Sequence, residues 1–153
     1  MTTSAPAGTE LKLSPALKQT INSALANGRM MSLAYVSLDG RPELSFRGSV
    51  QAYSDTQLAI WVRDAQSGLV KAIQGGKVHL SLLYGELGAT NKAFVTFRGR
   101  GRLDNSESVR RAVYEGSHEL ERNLDKDRKG IPLIIDLDRV DGFFGGAPLK
   151  MAR

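Results

Sequence analysis

The stretch that decides the fold runs from residue 44 to residue 74 and reads LSFRGSVQAYSDTQLAIWVRDAQSGLVKAIQ. Its first part, from Leu44 to Tyr53, predicts a β-strand. After a turn at Ser54-Asp55, the run from Leu58 to Arg63 predicts a second strand. The remainder predicts a short helix that begins at Ser67. Two antiparallel strands followed by a helix are therefore expected here.

The sequence on either side adds further strands. Upstream, Met30 to Leu38 predicts a strand, and Asp39-Gly40 predicts a hairpin turn after it. Downstream, strands are predicted over Val78 to Tyr84, Ala93 to Leu103 and Ile131 to Leu137, with an extension from Val140 to Phe144 after a bend. Helices are predicted after Ser14 and Ser106, with one or two helical turns within residues 118–127. This order predicts an α+β fold with a closed antiparallel barrel, because closure removes exposed strand edges.

Length and composition indicate one domain. The chain has 153 residues, of which 41% are hydrophobic and 24% charged, as in an ordinary globular domain. Residues 1–13 are small and polar and predict a flexible arm, so the domain is expected over residues 14–153. The absence of cysteine excludes disulfides and thiolate chemistry. There is no apolar run of membrane-spanning length and no signal-peptide pattern, so we predict a cytoplasmic protein.

The charge balance favours anionic partners. Lysine and arginine total 21 against 16 acidic residues, a formal net charge of +5. Arg98, Arg100 and Arg102 alternate with glycines and would share one face of a strand. This stripe could contact a phosphate or nucleic-acid backbone, or it could be a solvated face or pair with acids across a dimer interface. Nucleic acid is disfavoured because no aromatic stacking platform accompanies the arginines.

A second pattern points to a cofactor. In the strand from Leu44, Arg47, Ser49 and Gln51 would share one face, and Phe46, Val50 and Ala52 the other, which suits a flat heteroaromatic ligand. The start of the next helix could bind a phosphate, assisted by Arg63, Ser67 and Lys71. Ordinary roles stay open: a half-buried strand, a helix cap at Ser67 and core packing of Trp61.

Four runs together resemble a known family. They are Leu44 to Val50, Ala59 to Arg63, Ser67 to Leu69 and Val78 to Tyr84, and the likeness continues through Phe97 to Gly101. They resemble the pyridoxamine 5′-phosphate oxidase-like, flavin-binding split β-barrel superfamily, especially its small divergent members. The predicted elements total about six strands and two to three helices, and the resemblance implies that they form a mainly antiparallel split β-barrel of the α+β class. It also implies a homodimer with two flavin mononucleotide (FMN) sites at the subunit interface, and an FMN-binding oxidoreductase.

The resemblance assigns roles to individual residues. Arg47 matches the start of the flavin-contacting strand, with Ser49 and Val50 beside the ring; Trp61 and Val62 match the strand end along the ring and ribityl chain. Ser67, Gly68 and Leu69 match the turn that grips the phosphate. With the two cations added from the charge argument, the candidate cofactor-binding residues are Arg47, Ser49, Val50, Trp61, Val62, Arg63, Ser67, Gly68, Leu69 and Lys71. No catalytic residue is predicted, because the flavin ring would carry the redox chemistry.

Departures from the family pattern leave alternatives open. Leu69 stands where the family usually has a basic residue, so the phosphate grip must come from Arg63, Ser67, the helix amides or Lys71, or it is weaker. The opposing possibility is that Leu69 packs in the core with Ile73. A deazaflavin-dependent reductase on the same fold is one alternative, and a non-catalytic binding or stress-related module is another. The C-terminal residues do not match the segment that reads pyridoxal phosphate, so oxidation of that vitamin is not predicted. The substrate is left open.

Overall fold

A computed structural model of the chain describes residues 8–88 and 90–153. The strands in these ranges are β1 (Thr9–Glu10), β2 (Met31–Val36), β3 (Pro42–Arg47), β4 (Gln51–Ser54), β5 (Gln57–Val62), β6 (His79–Leu87), β7 (Lys92–Leu103), β8 (Ile131–Phe144) and β9 (Ala147–Ala152). The helices are α1 (Pro15–Asn22), α2 (Gly68–Gln74), α3 (Glu107–Gly116) and α4 (Glu119–Asn123). The described residues thus form nine strands and four helices, more than the six and the two to three that were predicted. No helix in these ranges is long and apolar enough to cross a membrane.

The strands form one sheet in the order β1-β9-β8-β7-β6-β2-β3, and β5 joins this path through β8 and carries β4. Neighbouring strands are antiparallel except β1, which runs parallel to β9. The α+β class and the mainly antiparallel split barrel are therefore confirmed. The closed barrel is wrong: β3 pairs only with β2, and β4 pairs only with β5, so the sheet has open ends among the described residues.

The division of the sheet into two parts depends on β8, which has 14 residues. Its first half, residues 131–136, pairs with β5, and its second half, residues 139–144, pairs with β9, whereas β7 follows both halves. The register between β7 and β8 shifts between Arg98 and Gly99, which places a bulge opposite this point. A Cβ atom at Gly99 would collide with the backbone of Asp136, so glycine permits the close approach. The predicted bend before Val140 is confirmed, and it lies within one continuous strand.

The predicted return strand from Leu44 to Tyr53 is two strands rather than one. The chain leaves β2 after Arg47, turns through residues 48–50 and pairs with β5 from Gln51 onward. The prediction that alternating residues share a face across this segment is therefore wrong, because the turn breaks the two-residue repeat. Val50 is buried, whereas Phe46 is 68% exposed, although both were placed on one face.

Residues 9–13 of the predicted N-terminal arm are held against the rest of the chain. Residues 1–7 of the predicted flexible arm lie outside the described residues. Thr9 and Glu10 pair with Met151 and Ala152 of β9, and Leu11 and Leu13 are buried in the core. For Leu11 and Leu13 the prediction is corrected: the amide of Leu11 donates to Ala152 of the unpredicted strand β9, and the amide of Leu13 donates to Asp55 between β4 and β5.

Gly142 provides a test of how tightly β7 and β8 are joined. Its φ is +146°, and an added Cβ would collide with the carbonyl oxygen of Phe94 and lie 3.0 Å from the Cα of Val95. We expect Gly142→Ala to lower the free energy of unfolding by about 3 kcal/mol or more, from strain and overpacking. Gly85→Ala is the control, because Gly85 pairs with Phe94 from the other side yet has open space around its Cα. Urea titration measures both, and equal midpoints would contradict the prediction.

Candidate functional site

The ends of β3 and β5 enclose a pocket of about 270 Å³ with the turn before α2 and with α4. Its lining residues are Met30, Phe46, Arg47, Gly48, Ser49, Trp61, Val62, Arg63, Asp64, Ser67 and Glu121. Six of the ten predicted cofactor residues are among them, namely Arg47, Ser49, Trp61, Val62, Arg63 and Ser67. These six come from three separate segments of the chain, and the fold brings them to one place.

The other four predicted residues lie outside this lining. Val50 and Leu69 are buried in the hydrophobic core, and Leu69 is only 1% exposed. Lys71 is exposed on α2 and Gly68 is exposed at its start. Of the alternatives that the sequence left open for Leu69, this burial agrees with packing in the core. The helix α2 has only seven residues, so the charge that faces the pocket comes mainly from side chains.

Ser49 holds the wall of the pocket together. Its hydroxyl donates to the carbonyl oxygen of Trp61 at 2.9 Å and accepts from the amide of Trp61 at 3.1 Å. The backbone pairing of β4 with β5 begins at Gln51. The two bonds of Ser49 therefore join the turn before β4 to β5, beyond the end of that pairing. The hydroxyl is thus engaged with the protein's own backbone, and Ser49 acts by positioning the turn.

The indole of Trp61 is fixed on the α3 side. Its Nε1 donates to Asp125 at 2.9 Å, and its ring meets the edge of Tyr114 with centroids 5.1 Å apart. Asp125 also accepts from the amides of Lys129 and Gly130. Burial raises the pKa of Asp125, but these hydrogen bonds outweigh it, and the pKa lies below its ordinary value. The packing of the Trp61 ring agrees with the role in core packing that the sequence left open. Asp125 stays ionised and holds the indole through its hydrogen bond.

Two arginines and one carboxylate set the electrostatics of the pocket. Arg63 Nε lies 3.7 Å from Glu121 Oε2, and the Glu121 side chain is only 12% exposed. Burial lowers the pKa of Arg47, and the nearby charge of Arg63 lowers it further, while Tyr35 and Glu121 partly offset this. The protonated guanidinium of Arg47 is therefore less stable here than in water. An anion bound in the pocket would relieve that cost.

Sequence reasoning missed Glu121. It lies within the 118–127 segment that was predicted as surface helix, far along the chain from the strands that it meets. A charged residue in a polar segment carries no signal of burial, so only the placement of α4 over Gly48 reveals it. A Cβ atom at Gly48 would lie 3.0 Å from the Glu121 carboxyl carbon, which explains why glycine fits at this turn.

The arginine stripe on β7 is paired within the chain. Arg98, Arg100 and Arg102 each contact an aspartate of β8, at 3.2, 3.0 and 3.0 Å; the partners are Asp141, Asp138 and Asp136 respectively. This supports the interpretation of paired arginines, but the acids belong to the neighbouring strand and not to a second subunit. Each exposed pair contributes only about 0–1 kcal/mol. Their charge is largely neutralised, which weakens the nucleic-acid alternative further.

One side of the sheet carries exposed apolar side chains. Leu44 is 75% exposed, Phe46 68%, Leu83 49% and Phe94 47%. Phe46 of β3 and Leu83 of β6 both pair with Ser32 of the strand between them, β2, so they lie in line across the sheet. Leu44 lies two residues from Phe46 on β3 and therefore points to the same side. We call these four residues the apolar face. Phe46 also lines the pocket, so the pocket opens at the border of this face.

Comparisons with known proteins bear on this architecture. No protein-family model matches the sequence, and no curated protein matches it. A candidate pyridoxamine 5′-phosphate oxidase from Lactobacillus delbrueckii is 15% identical, with a TM-score of 0.59, over 84% of this chain and 93% of its own. General stress protein 26 from Bacillus anthracis is 16% identical, with a TM-score of 0.60, over 88% of this chain and 98% of its own. An FMN-binding protein from Syntrophomonas wolfei is 11% identical, with a TM-score of 0.55, over 90% of this chain and 89% of its own.

These similarities define the class of fold. The chain has the split β-barrel fold of pyridoxamine 5′-phosphate oxidase-like and FMN-binding proteins. The resemblance stated from the sequence is thereby confirmed at the level of the fold. Identities this low establish the fold alone, because one fold supports many functions.

The burial of Leu69 yields a prediction. Leu69→Lys would place an ammonium group in the core, and we expect it to lower the free energy of unfolding by about 3 kcal/mol or more. Gln74→Lys adds the same charge at an exposed position of α2 and should change stability by about 0.5 kcal/mol or less. Thermal unfolding of both variants measures the difference. A Leu69→Lys variant as stable as the control would show that position 69 faces solvent.

Proposed function

We propose that this protein is an FMN-binding oxidoreductase that holds the cofactor phosphate beside Arg47 and Arg63. The observation that carries the proposal is the meeting of these two cations, from the ends of different strands, in one pocket. The lowered pKa of Arg47 supports it, since a buried guanidinium beside a second cation favours an anionic ligand. The fold shared with an FMN-binding protein supports it as well.

The pocket suits part of such a cofactor. Its volume is about 270 Å³. Complete small-molecule sites usually begin at about 300 Å³ and are often several times larger. Arg47 and Arg63 would bind the phosphate, and the backbone held by Ser49 would face the adjoining chain of the ligand. The bound flavin would supply hydride or electron transfer, while the protein orients it and limits its exposure to water. The ring would extend from the pocket toward the apolar face.

We further propose a homodimer in which a second copy covers the apolar face. Four large apolar side chains exposed on one side of a sheet are typical of an interaction surface. Phe46 belongs to this face and also lines the pocket, so a partner seated there would complete the wall around the ligand. A small-molecule substrate would then enter at the interface. The cytoplasmic location expected from the sequence stays a prediction.

Flavin titration tests the cofactor proposal. Trp61 is the only tryptophan and borders the pocket, so we expect FMN to quench its fluorescence. Arg47→Ala and Arg63→Ala should each weaken FMN binding by about 10- to 100-fold, the usual loss of a charge-assisted contact. Riboflavin, which lacks the phosphate, should bind both variants as it binds the original protein. Arg41→Ala is the matched control, because Arg41 lies in the exposed β2–β3 hairpin away from the pocket.

The outcome separates the alternatives. Unchanged FMN affinity in both pocket variants would remove the phosphate from this site. A purified protein that is colourless and ignores FMN, yet quenches the fluorescence of a deazaflavin, would favour the deazaflavin-dependent reductase. Absorption spectra before and after addition of each cofactor decide between them.

Light scattering at micromolar concentration tests the dimer. We expect Leu44→Asp and Leu83→Asp to convert the dimer to monomer, because each places a charge on the apolar face that a second copy would bury. Leu120→Asp is the control, since Leu120 is 59% exposed on α4 and outside this face. A monomeric original protein would contradict the proposed dimer directly.

A further inference from the structure

The helix α4 turns one of its two acids, Glu121, toward the protein and exposes its leucine. The Glu121 side chain is 12% exposed, whereas Leu120 beside it is 59% exposed, and Leu124, just after the helix, is 61% exposed. This reverses the usual arrangement, in which the apolar residues of a surface helix face the protein. Burial of a carboxylate costs free energy unless it is paired or hydrogen-bonded. The inward direction of Glu121 therefore calls for a compensating role in the pocket.

The surrounding contacts hold α4 in this orientation. His118 caps the helix by accepting from the amide of Leu120 at 3.1 Å, and Tyr114 donates to the carbonyl oxygen of Arg122 at 3.1 Å. The Arg122 guanidinium donates to the carbonyl oxygens of Glu115 and Ser117. These contacts tie the short helix to α3 and the loop after it. The carboxylate of Glu121 is thus directed over Gly48 by the fold.

The partners of Glu121 are the cations assigned to the ligand. Its carboxylate is 3.7 Å from Arg63 Nε, and its charge also acts on Arg47. That separation is beyond the length of a hydrogen bond. Within residues 8–88 and 90–153 the carboxylate accepts no hydrogen bond, so it is held by the charge of Arg63 and by its contact with Gly48. A carboxylate placed this way can be displaced without the loss of a specific bond.

We infer that Glu121 is an internal counter-ion that lies in the phosphate position of the pocket and must be displaced by a phosphorylated ligand. This inference rests on the proposed FMN site. The carboxylate neutralises Arg63 and Arg47 before binding, and it would repel a phosphate that approaches the same arginines. Glu121 therefore reduces affinity for FMN without affecting riboflavin, and it sets how strongly the pocket prefers the phosphorylated flavin.

Calorimetric titration of Glu121→Gln with FMN and with riboflavin tests this inference. We expect FMN to bind about tenfold more tightly, a moderate factor because Arg63 is half exposed and solvent screens its charge. Riboflavin affinity should be unchanged. Glu119→Gln is the matched control, since it removes the same charge from an exposed position of the same helix outside the pocket lining. It should bind both flavins as the original protein does.

A second variant at the same position keeps the inference testable if Glu121→Gln does not fold. Should Glu121→Gln unfold in a thermal scan, Glu121→Asp keeps the charge and withdraws the carboxylate by one methylene, and FMN should bind about threefold more tightly. Unchanged or weaker FMN binding in the folded variant, or an equal gain for riboflavin, would overturn the inference and leave the flavin site standing. If the original protein and every variant bind neither flavin, the proposed function fails and the inference fails with it.

Discussion

The pairing of β8 with three other strands is the constraint on which the rest of the structure depends. This strand of 14 residues pairs with β5 through its first half, with β9 through its second half and with β7 along most of its length. β5 and β9 both lie on the edge of β8 that faces away from β7, one beyond the other along the strand. The bulge opposite Gly99 supplies the bend, and the missing side chain there lets the two backbones approach. The sheet divides at this bend into the part that contains β5 and the part that contains β9.

The pocket lies where the chain passes from β3 to β4, beside the end of β5. With β5 bound to β8 and β3 bound to β2, residues 48–50 must cross from one part of the sheet to the other. Ser49 stabilises the crossing by bonding both backbone groups of Trp61, each bond contributing about 1 kcal/mol. Arg47 and Arg63 then meet at the ends of two strands that do not pair with each other. Two cations at such a junction are costly unless an anion is near, and here Glu121 takes that position.

The candidate site was therefore only partly readable from the sequence. The segments around Arg47, Arg63 and Ser67 were identified because strand and turn patterns, together with a family resemblance, single them out. Leu69 and Val50 were included with them, yet both side chains are in the core, because matching a motif does not say which way a side chain points. Glu121 was missed, since a glutamate in a charged helix looks like a surface residue from sequence alone. Its importance arises from where α4 is seated.

The sequence by itself determined the class of fold, since its hydrophobic alternation, turn residues and strand order depend on neighbours along the chain. It also determined where the short helix α2 begins, because Ser67 caps it locally. The tertiary structure decided the rest: the open edges instead of a closed barrel, the break after Arg47, the burial of Leu11 and Leu13, and the pairing of the arginine stripe with β8. Each of these depends on which strand lies beside which. That choice is set by contacts between residues far apart in the chain, and local periodicity does not report them.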